Sequence, residues 1–206
     1  AEGGSYYAGA LHNDELLVHS GDTMFGVDAD TFETTSYGTI ASSWIWSDAA
    51  TAPAIDGAFG KLAALCMNGT YLEMINPAEG TLSYFDMSST FADDPMATIA
   101  YAGSGTYDYI YGWNMYKDCP AHYYYVMTES GELYKFTMFY ITAMDRYSVL
   151  REDLGNTGLE LPNVSAVTAG QYASMIFDQD SGNLVLSSYQ YGDTANVYVI
   201  DPETLL

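Results

Sequence analysis

The chain has 206 residues, 49% of them hydrophobic, and sets 5 Lys and Arg against 27 Asp and Glu, for a formal charge of −22. That hydrophobic content is enough to build a core and argues against global disorder. The shortage of basic side chains excludes a nucleic-acid binder, which must neutralise phosphates, and disfavours anionic membrane surfaces. The length suits one all-β domain, and 20 tyrosines with 19 glycines favour strands and turns over helices. No apolar run approaches the ~18 residues of a spanning helix, so no membrane insertion is expected. An acidic surface suits solubility outside the cell.

From the N-terminus, 6–12 (YYAGALH) runs into Asn13-Asp14, a hairpin turn signal, and 15–19, 23–28 and 34–40 supply three further strands. A second copy of this phrase is KLAALCMNGTYLEMINPAEGTLSYFDM at 61–87, with turns at Asn68-Gly69 and at 76–80, and a fourth strand is expected in 96–102. The third copy is YIYGWNMY, then HYYYVMTES, then ELYKFTMF, with a fourth strand near 148–153. The last copy, 172–206, predicts strands at 173–177, 183–189 and 196–201, punctuated by Asp-Gln-Asp-Ser-Gly, Tyr-Gly-Asp and Asp-Pro-Glu-Thr.

The chain therefore reads as four repeats of three to four antiparallel strands, approximately 6–40, 59–101, 107–153 and 172–206, spaced as propeller blades are. The expected fold is all-β, a single β-propeller domain or part of one. First strands crowd a propeller's axis, which gives a packing reason for the small residues Ala8-Gly9-Ala10, Ala63-Ala64, Gly112 and Ala173-Ser174. The fourth repeat stops at Leu205-Leu206, where its fourth strand is due. Two readings stay open: further blades beyond this sequence, or a ring closed by residues 2–6 as the missing strand. The shortness of 2–6 favours the first.

Gly182-Asn183-Leu184 followed by Val197-Tyr198-Val199-Ile200-Asp201-Pro202-Glu203-Thr204 resembles the extracellular bacterial β-propellers built of quinoprotein-like or YVTN-like repeats. Weaker versions of the motif stand at Val27-Asp28-Ala29-Asp30-Thr31 and Tyr84-Phe85-Asp86-Met87-Ser88. The resemblance implies a strand ending in "ID-P-x-T" that closes the third strand of a blade and turns into the fourth. The tryptophans that mark quinoprotein docking are absent from the expected places, so no quinone or other cofactor is carried over. The resemblance also implies an extracellular or cell-surface location.

Candidate chemistry is sparse. His12 abuts its turn while His19 falls at the far end of the next strand, which makes a shared metal site geometrically poor, and His122 reads as an ordinary surface or packing residue. Asp178-Gln-Asp180-Ser-Gly182-Asn183 superficially suits calcium but lacks the distal bidentate acid, so a hairpin turn is expected. Tyr109, Tyr111 and Trp113 alternate and are expected to pack between sheets. Cys66 and Cys119 are both expected at the run-out of first strands in adjacent repeats, which leaves a disulfide open, although two thiols without a spacing pattern are more often free.

Long connections in a compact domain tend to be functional, which singles out 41–58 and 155–171. In the propeller families that the chain resembles, such fourth-to-first connections share a rim with second-to-third turns. That rim is expected to bind ligand through Trp44 or Trp46, with Asp48, Asp56, Asn76, Glu79, Glu129, Tyr191 and Asp193 beside them and Tyr107 and Gln171 at strand entrances. Aromatic faces beside acids and amides suit a sugar. The expected function is an extracellular or cell-surface binding module for a glycan or a protein partner, with further blades of the same polypeptide as a third kind of partner. A glycan-degrading enzyme domain using rim carboxylates and a structural spacer of a large surface protein are the alternatives.

Overall fold

Short runs of Tyr, Val, Ile, Leu and Thr bounded by Gly, Asn and Asp cannot sustain helices, and nearly all of them become strands. The computed structural model describes residues 7–12, 15–20, 23–39, 48–51, 64–68, 71–76, 81–161, 172–189 and 195–206. Among the described residues, fifteen strands fall in four antiparallel sheets, each with its strands in consecutive chain order. The first sheet holds β1 (Tyr7–His12), β2 (Glu15–Ser20), β3 (Thr23–Asp28) and β4 (Thr34–Thr39). The second holds β5 (Asp48–Thr51), β6 (Ala64–Asn68), β7 (Tyr71–Asn76) and β8 (Thr81–Asp86).

A four-residue helix, α1 (Ser88–Phe91), leads into the third sheet of β9 (Met96–Tyr111), β10 (Asn114–Thr128), β11 (Glu132–Ile141) and β12 (Arg146–Asn156). The fourth sheet has three strands, β13 (Tyr172–Phe177), β14 (Leu184–Tyr189) and β15 (Asn196–Ile200). No helix among the described residues is long and apolar enough to cross a membrane.

Successive first strands touch: β1 meets β5, β5 meets β9, and β9 meets β13. The third sheet is apolar on both faces and covered on both. One face sets Met96, Ile99, Tyr124, Val126, Phe136 and Met138 against Phe85 of β8, Phe91 of α1 and Met87 between them. The other sets Ala97, Ala100, Met127 and Leu133 against Ala173, Met175, Leu184, Leu186 and Ile200 of the fourth sheet. Alternating side chains on β10 serve the two cores in turn, as a pleated strand buried on both sides requires.

Two expected boundaries move. Residues 96–102 begin β9 and pair with β10, so they open the third sheet and do not close the second. The second sheet instead begins at β5, whose register runs Asp48↔Met67 to Thr51↔Ala64. Ala64 then opens a second strand and Gly112 belongs to a turn, while Ala63 lies outside the described residues; the small residues of these two first strands are Ala49-Ala50 and Ala97 with Ala100. The reason is length: a 16-residue strand exceeds the typical strand, so its first residues resemble a separate strand that ends the preceding repeat.

The recurring aspartates close turns. Asp28 Oδ1 accepts from the N–H groups of Asp30 and Thr31 at 2.9 and 2.6 Å, and Asp86 Oδ1 accepts from the Ser88 N–H at 2.8 Å. Asp201 Oδ1 accepts from the Glu203 N–H, also at 2.8 Å. Asp178 accepts from the Asp180 N–H and the Ser181 hydroxyl, with Gly182 at φ 76°. The acid-rich 178–183 stretch is thus the expected hairpin turn, with the Asp178 carboxylate engaged by its own loop.

Candidate functional site

Four exposed large hydrophobics, Ile110, Tyr111, Trp113 and Met115, gather at the end of the β9–β10 hairpin. These strands outrun their sheet: β11 pairs with β10 only from Ala121 to Met127, whereas β9 and β10 continue together out to Tyr111↔Asn114. Gly112 and Trp113 make the two-residue turn, and Gly112 alone of the pair takes a positive φ, 62°. That is a type II′ turn, which wants Gly first and matches the twist of the strands it joins. YIYGWNMY is therefore a hairpin and not the single strand expected, and Gly-X between two alternating apolar runs is the signal for it.

One face of this arm is a tyrosine ladder rooted in the sheet. Tyr107 and Tyr109 lie 4.9 and 5.0 Å from the Phe139 ring, and Tyr109 stacks on Tyr111 and Tyr116 at 6.3 Å each. The Arg146 guanidinium sits 5.9 Å from the centre of Tyr111. These contacts hold a two-stranded ribbon that has no third strand to stiffen it. The opposite face carries Ile110 and Met115, cross-strand partners that are 63% and 55% exposed. Asp108 Oδ1 accepts the Asp118 N–H at 2.9 Å where the register shifts between Tyr116 and Cys119.

At the turn, Trp113 is entirely exposed and Tyr111 is 55% exposed. The expectation that Tyr109, Tyr111 and Trp113 pack between sheets is therefore corrected. Only Tyr109 is half-buried, because the ribbon carries the other two past the end of the sheet. An indole and a phenol presented this way can stack on a flat apolar surface without first being uncovered.

Among the expected site residues, Tyr107 and Glu129 are described with their side chains, and they lie at opposite ends of one sheet. Tyr107 pairs with Cys119 near the far end of β9, and Glu129 follows the Thr128↔Met96 pair. Eleven residues of strand separate the two levels, roughly 35 Å at ~3.3 Å per residue. The strand entrance is Met96, so Tyr107 is a root of the tyrosine ladder.

Glu129 belongs to a bonded cap: its N–H donates to Pro95 O at 2.9 Å and its carbonyl accepts from the Leu161 N–H at 2.8 Å. Beside it, the Ser130 N–H and hydroxyl donate to Asp94 at 3.0 and 2.6 Å, and Asn156 Nδ2 donates to Ser130 O and Glu132 Oε1. Asp48 opens β5 and Asn76 closes β7. Because β7 and β8 are third and fourth strands, the turn after Asn76 falls at the end of its sheet opposite to a second-to-third turn. Trp44, Trp46, Asp56, Glu79, Gln171, Tyr191 and Asp193 lie outside the described residues.

Titration is altered mainly by burial and by turns. Hydrogen bonds from their own turns hold Asp28, Asp86 and Asp178 below the usual aspartate range. Burial pushes His122 down to about 4, with its Nδ1 3.4 Å from the Tyr101 hydroxyl. Burial also raises the Cys119 thiol, which is free and lies 3.8 Å from Tyr116 O. No disulfide joins it to Cys66: Cys119 sits within a long second strand, not at the run-out of a first. His19 pairs with Tyr7 and His12 with Glu15, at opposite ends of their hairpin. Among the described residues no three His, Cys, Asp or Glu converge on a metal position.

No family model and no curated protein matches the sequence. Among solved structures, the chain is similar to the extracellular domain of a hybrid two-component system from B. thetaiotaomicron, at 12% identity and a TM-score of 0.38. The alignment covers 95% of this chain and 22% of that one, so the chain spans about a fifth of the neighbour's length.

Proposed function

We propose that the chain is an extracellular binding module of the β-propeller kind, taking a glycan through aromatic side chains carried on its turns and loops. The serial contact of first strands and the consecutive order of every sheet support the propeller arrangement. The observation that carries the binding role is Trp113, fully exposed at the tip of a braced ribbon whose length the sheets do not need. Exposed aromatics on a rigid support stack on the C–H face of a sugar at little entropic cost. The loop tryptophans Trp44 and Trp46 form a second aromatic surface in this proposal.

Ile110 and Met115 on the other face of the ribbon favour a protein partner as the second reading, since both enrich apolar contact without hydrogen-bonding a hydroxyl. An enzymatic role draws no comparable support, because the aspartates with altered titration are engaged by their own turns. A glycan-array screen followed by titration calorimetry tests the proposal. Trp113→Ala is expected to weaken binding by about tenfold or more, as for an interface anchor. Loss confined to a Trp44→Ala, Trp46→Ala double variant moves the site to the 41–58 loop. Binding unchanged in all three substitutions, or no glycan bound, overturns the carbohydrate reading.

A further inference from the structure

Three turns of the chain share one geometry. In the first, the Asp28 N–H donates to Glu33 O at 2.9 Å and the Phe32 N–H to Asp28 O at 3.0 Å. In the second, the Asp178 N–H donates to Asn183 O and the Gly182 N–H to Asp178 O, both at 2.8 Å. In the third, the Asp201 N–H donates to Leu206 O at 3.1 Å and the Leu205 N–H to Asp201 O at 2.8 Å. Each opens on an aspartate whose Oδ1 accepts the N–H two residues on. The fifth residue of each takes a positive φ: 58° at Phe32, 76° at Gly182 and 62° at Leu205. A left-handed leucine bears strain that its surroundings must hold, and Leu205 is packed against the core between the third and fourth sheets.

The first two turns have the same outcome: the next residue begins an antiparallel strand. Thr34 pairs with Val27, and Leu184 pairs with Phe177. The third turn leaves β15, whose outer edge has no strand among the described residues, while each of the other sheets has four. The Asp201 N–H points across that edge to Leu206 O, and because these groups alternate along a strand, those of Val199 and Val197 point the same way. Moreover, β15 lacks what guards an outer strand, since Asn196–Ile200 has no charge, no proline and no bulge. By contrast β12, the outer strand of the third sheet, carries Arg146, Arg151, Glu152 and Asp153.

We propose that the open edge of β15 is a strand-accepting site, and that its occupant is a strand of the same polypeptide delivered through the 201–206 turn. Its first residue stands opposite Ile200 and its second opposite Val199, as Thr34 and Thr35 stand opposite Val27 and Gly26. The first and third residues then share the face of Ile200 and Tyr198, which packs on the third sheet, so that row is apolar. The second and fourth lie beside Val199 and Val197, which are 60% and 68% exposed. The inference does not depend on what the β9–β10 hairpin binds.

Amide hydrogen exchange tests this on the 206-residue chain and on a form lengthened after Leu206 by a copy of Thr34–Thr39, the strand that follows the same turn in the first sheet. In the 206-residue chain the Val197 and Val199 amides are expected to exchange freely. In the lengthened chain they slow by about tenfold or more, and the melting temperature rises. The same six residues as a free peptide at equimolar concentration give no protection, because only the linked strand has a high effective concentration at the edge. A Gly-Ser extension of equal length gives none either, which separates strand pairing from added length; circular dichroism checks that each form folds. Protection already present in the 206-residue chain means that residues 2–6 or another copy hold the edge, and overturns the proposal. So does a lengthened chain whose Val197 and Val199 amides stay unprotected, or a free peptide or Gly-Ser extension that protects them equally.

Discussion

His122 shows how a single residue ties fold to pH. It sits on β10 opposite Met138, is 2% exposed, and takes its one hydrogen-bond contact from Tyr101, while Nε2 has no partner among the described residues. A charge there would lose its hydration, so burial lowers the imidazole from 6.5 to about 4. The unfolded chain takes up a proton near 6.5 and the folded chain resists it until about 4. His122 therefore favours the fold fully above the upper value, and that contribution is lost as pH falls through the window. The loss between pH 7 and pH 4.5 amounts to about 2–3 kcal/mol. The turn carboxylates of Asp28, Asp86 and Asp178, held low, lose their contribution only below the usual aspartate range, so the window belongs to the histidine. Urea unfolding of the parent and of His122→Gln at the two pH values measures this. The parent is expected to show the steeper decline, and equal slopes would refute the assignment.

At the scale of elements, the β9–β10 hairpin and the cap at its other end contrast. The tip tolerates change at Trp113 because the side chain touches nothing that holds the ribbon. The cap does not: Gly131 turns β10 into β11 at φ 85°, and a Cβ there would meet Leu159 O at 2.0 Å. Its carbonyl also accepts from the Thr157 N–H at 3.0 Å and from the Thr157 hydroxyl at 2.9 Å, pinning the segment after β12. Gly131→Ala combines left-handed strain with a backbone collision and is expected to cost ~2 kcal/mol or more. Thermal melts should show a fall of about 5 °C or more. Gly112→Ala at the tip strains the turn but meets no atom within 4 Å, so it should cost less than Gly131→Ala. The reverse ranking would mean that the cap is looser than its bonds imply.

Across the whole molecule the charge is lopsided, and three of the five cations sit over rings. Lys135 sits over Tyr123 at 5.5 Å, Arg146 over Tyr111 at 5.9 Å, and Arg151 over Tyr134 and Phe91 at 5.3 and 5.7 Å. With 27 acids against 5 bases, self-repulsion works against the compact state. Salt shortens the reach of that repulsion to ~10 Å at 0.1 M, so melting temperature should rise from low to moderate ionic strength. Arg151→Gln, which keeps the stem but removes the cation over both rings, should lower stability by roughly 0.5–1 kcal/mol at any salt concentration. A melting temperature that falls as salt is added would show that attraction between charges outweighs repulsion.

Sequence by itself determined the class of the fold, most strand positions and the turns, because these depend on local pattern. Alternation at Leu184–Tyr189, the turn chemistry of Asp28 and Asp178, and the repeated phrase are legible without any partner in space. Tertiary structure alone decided which sheet owns 96–102, since a strand's partners follow from register and not from its own residues. It likewise separated Tyr107 from Glu129, moved Trp113 from an expected core to the solvent, and left Ile176, Val197 and Val199 uncovered on the fourth sheet. In each case the side chain's character is local, but whether it is buried depends on how far the neighbouring strand runs and on what packs across the sheet.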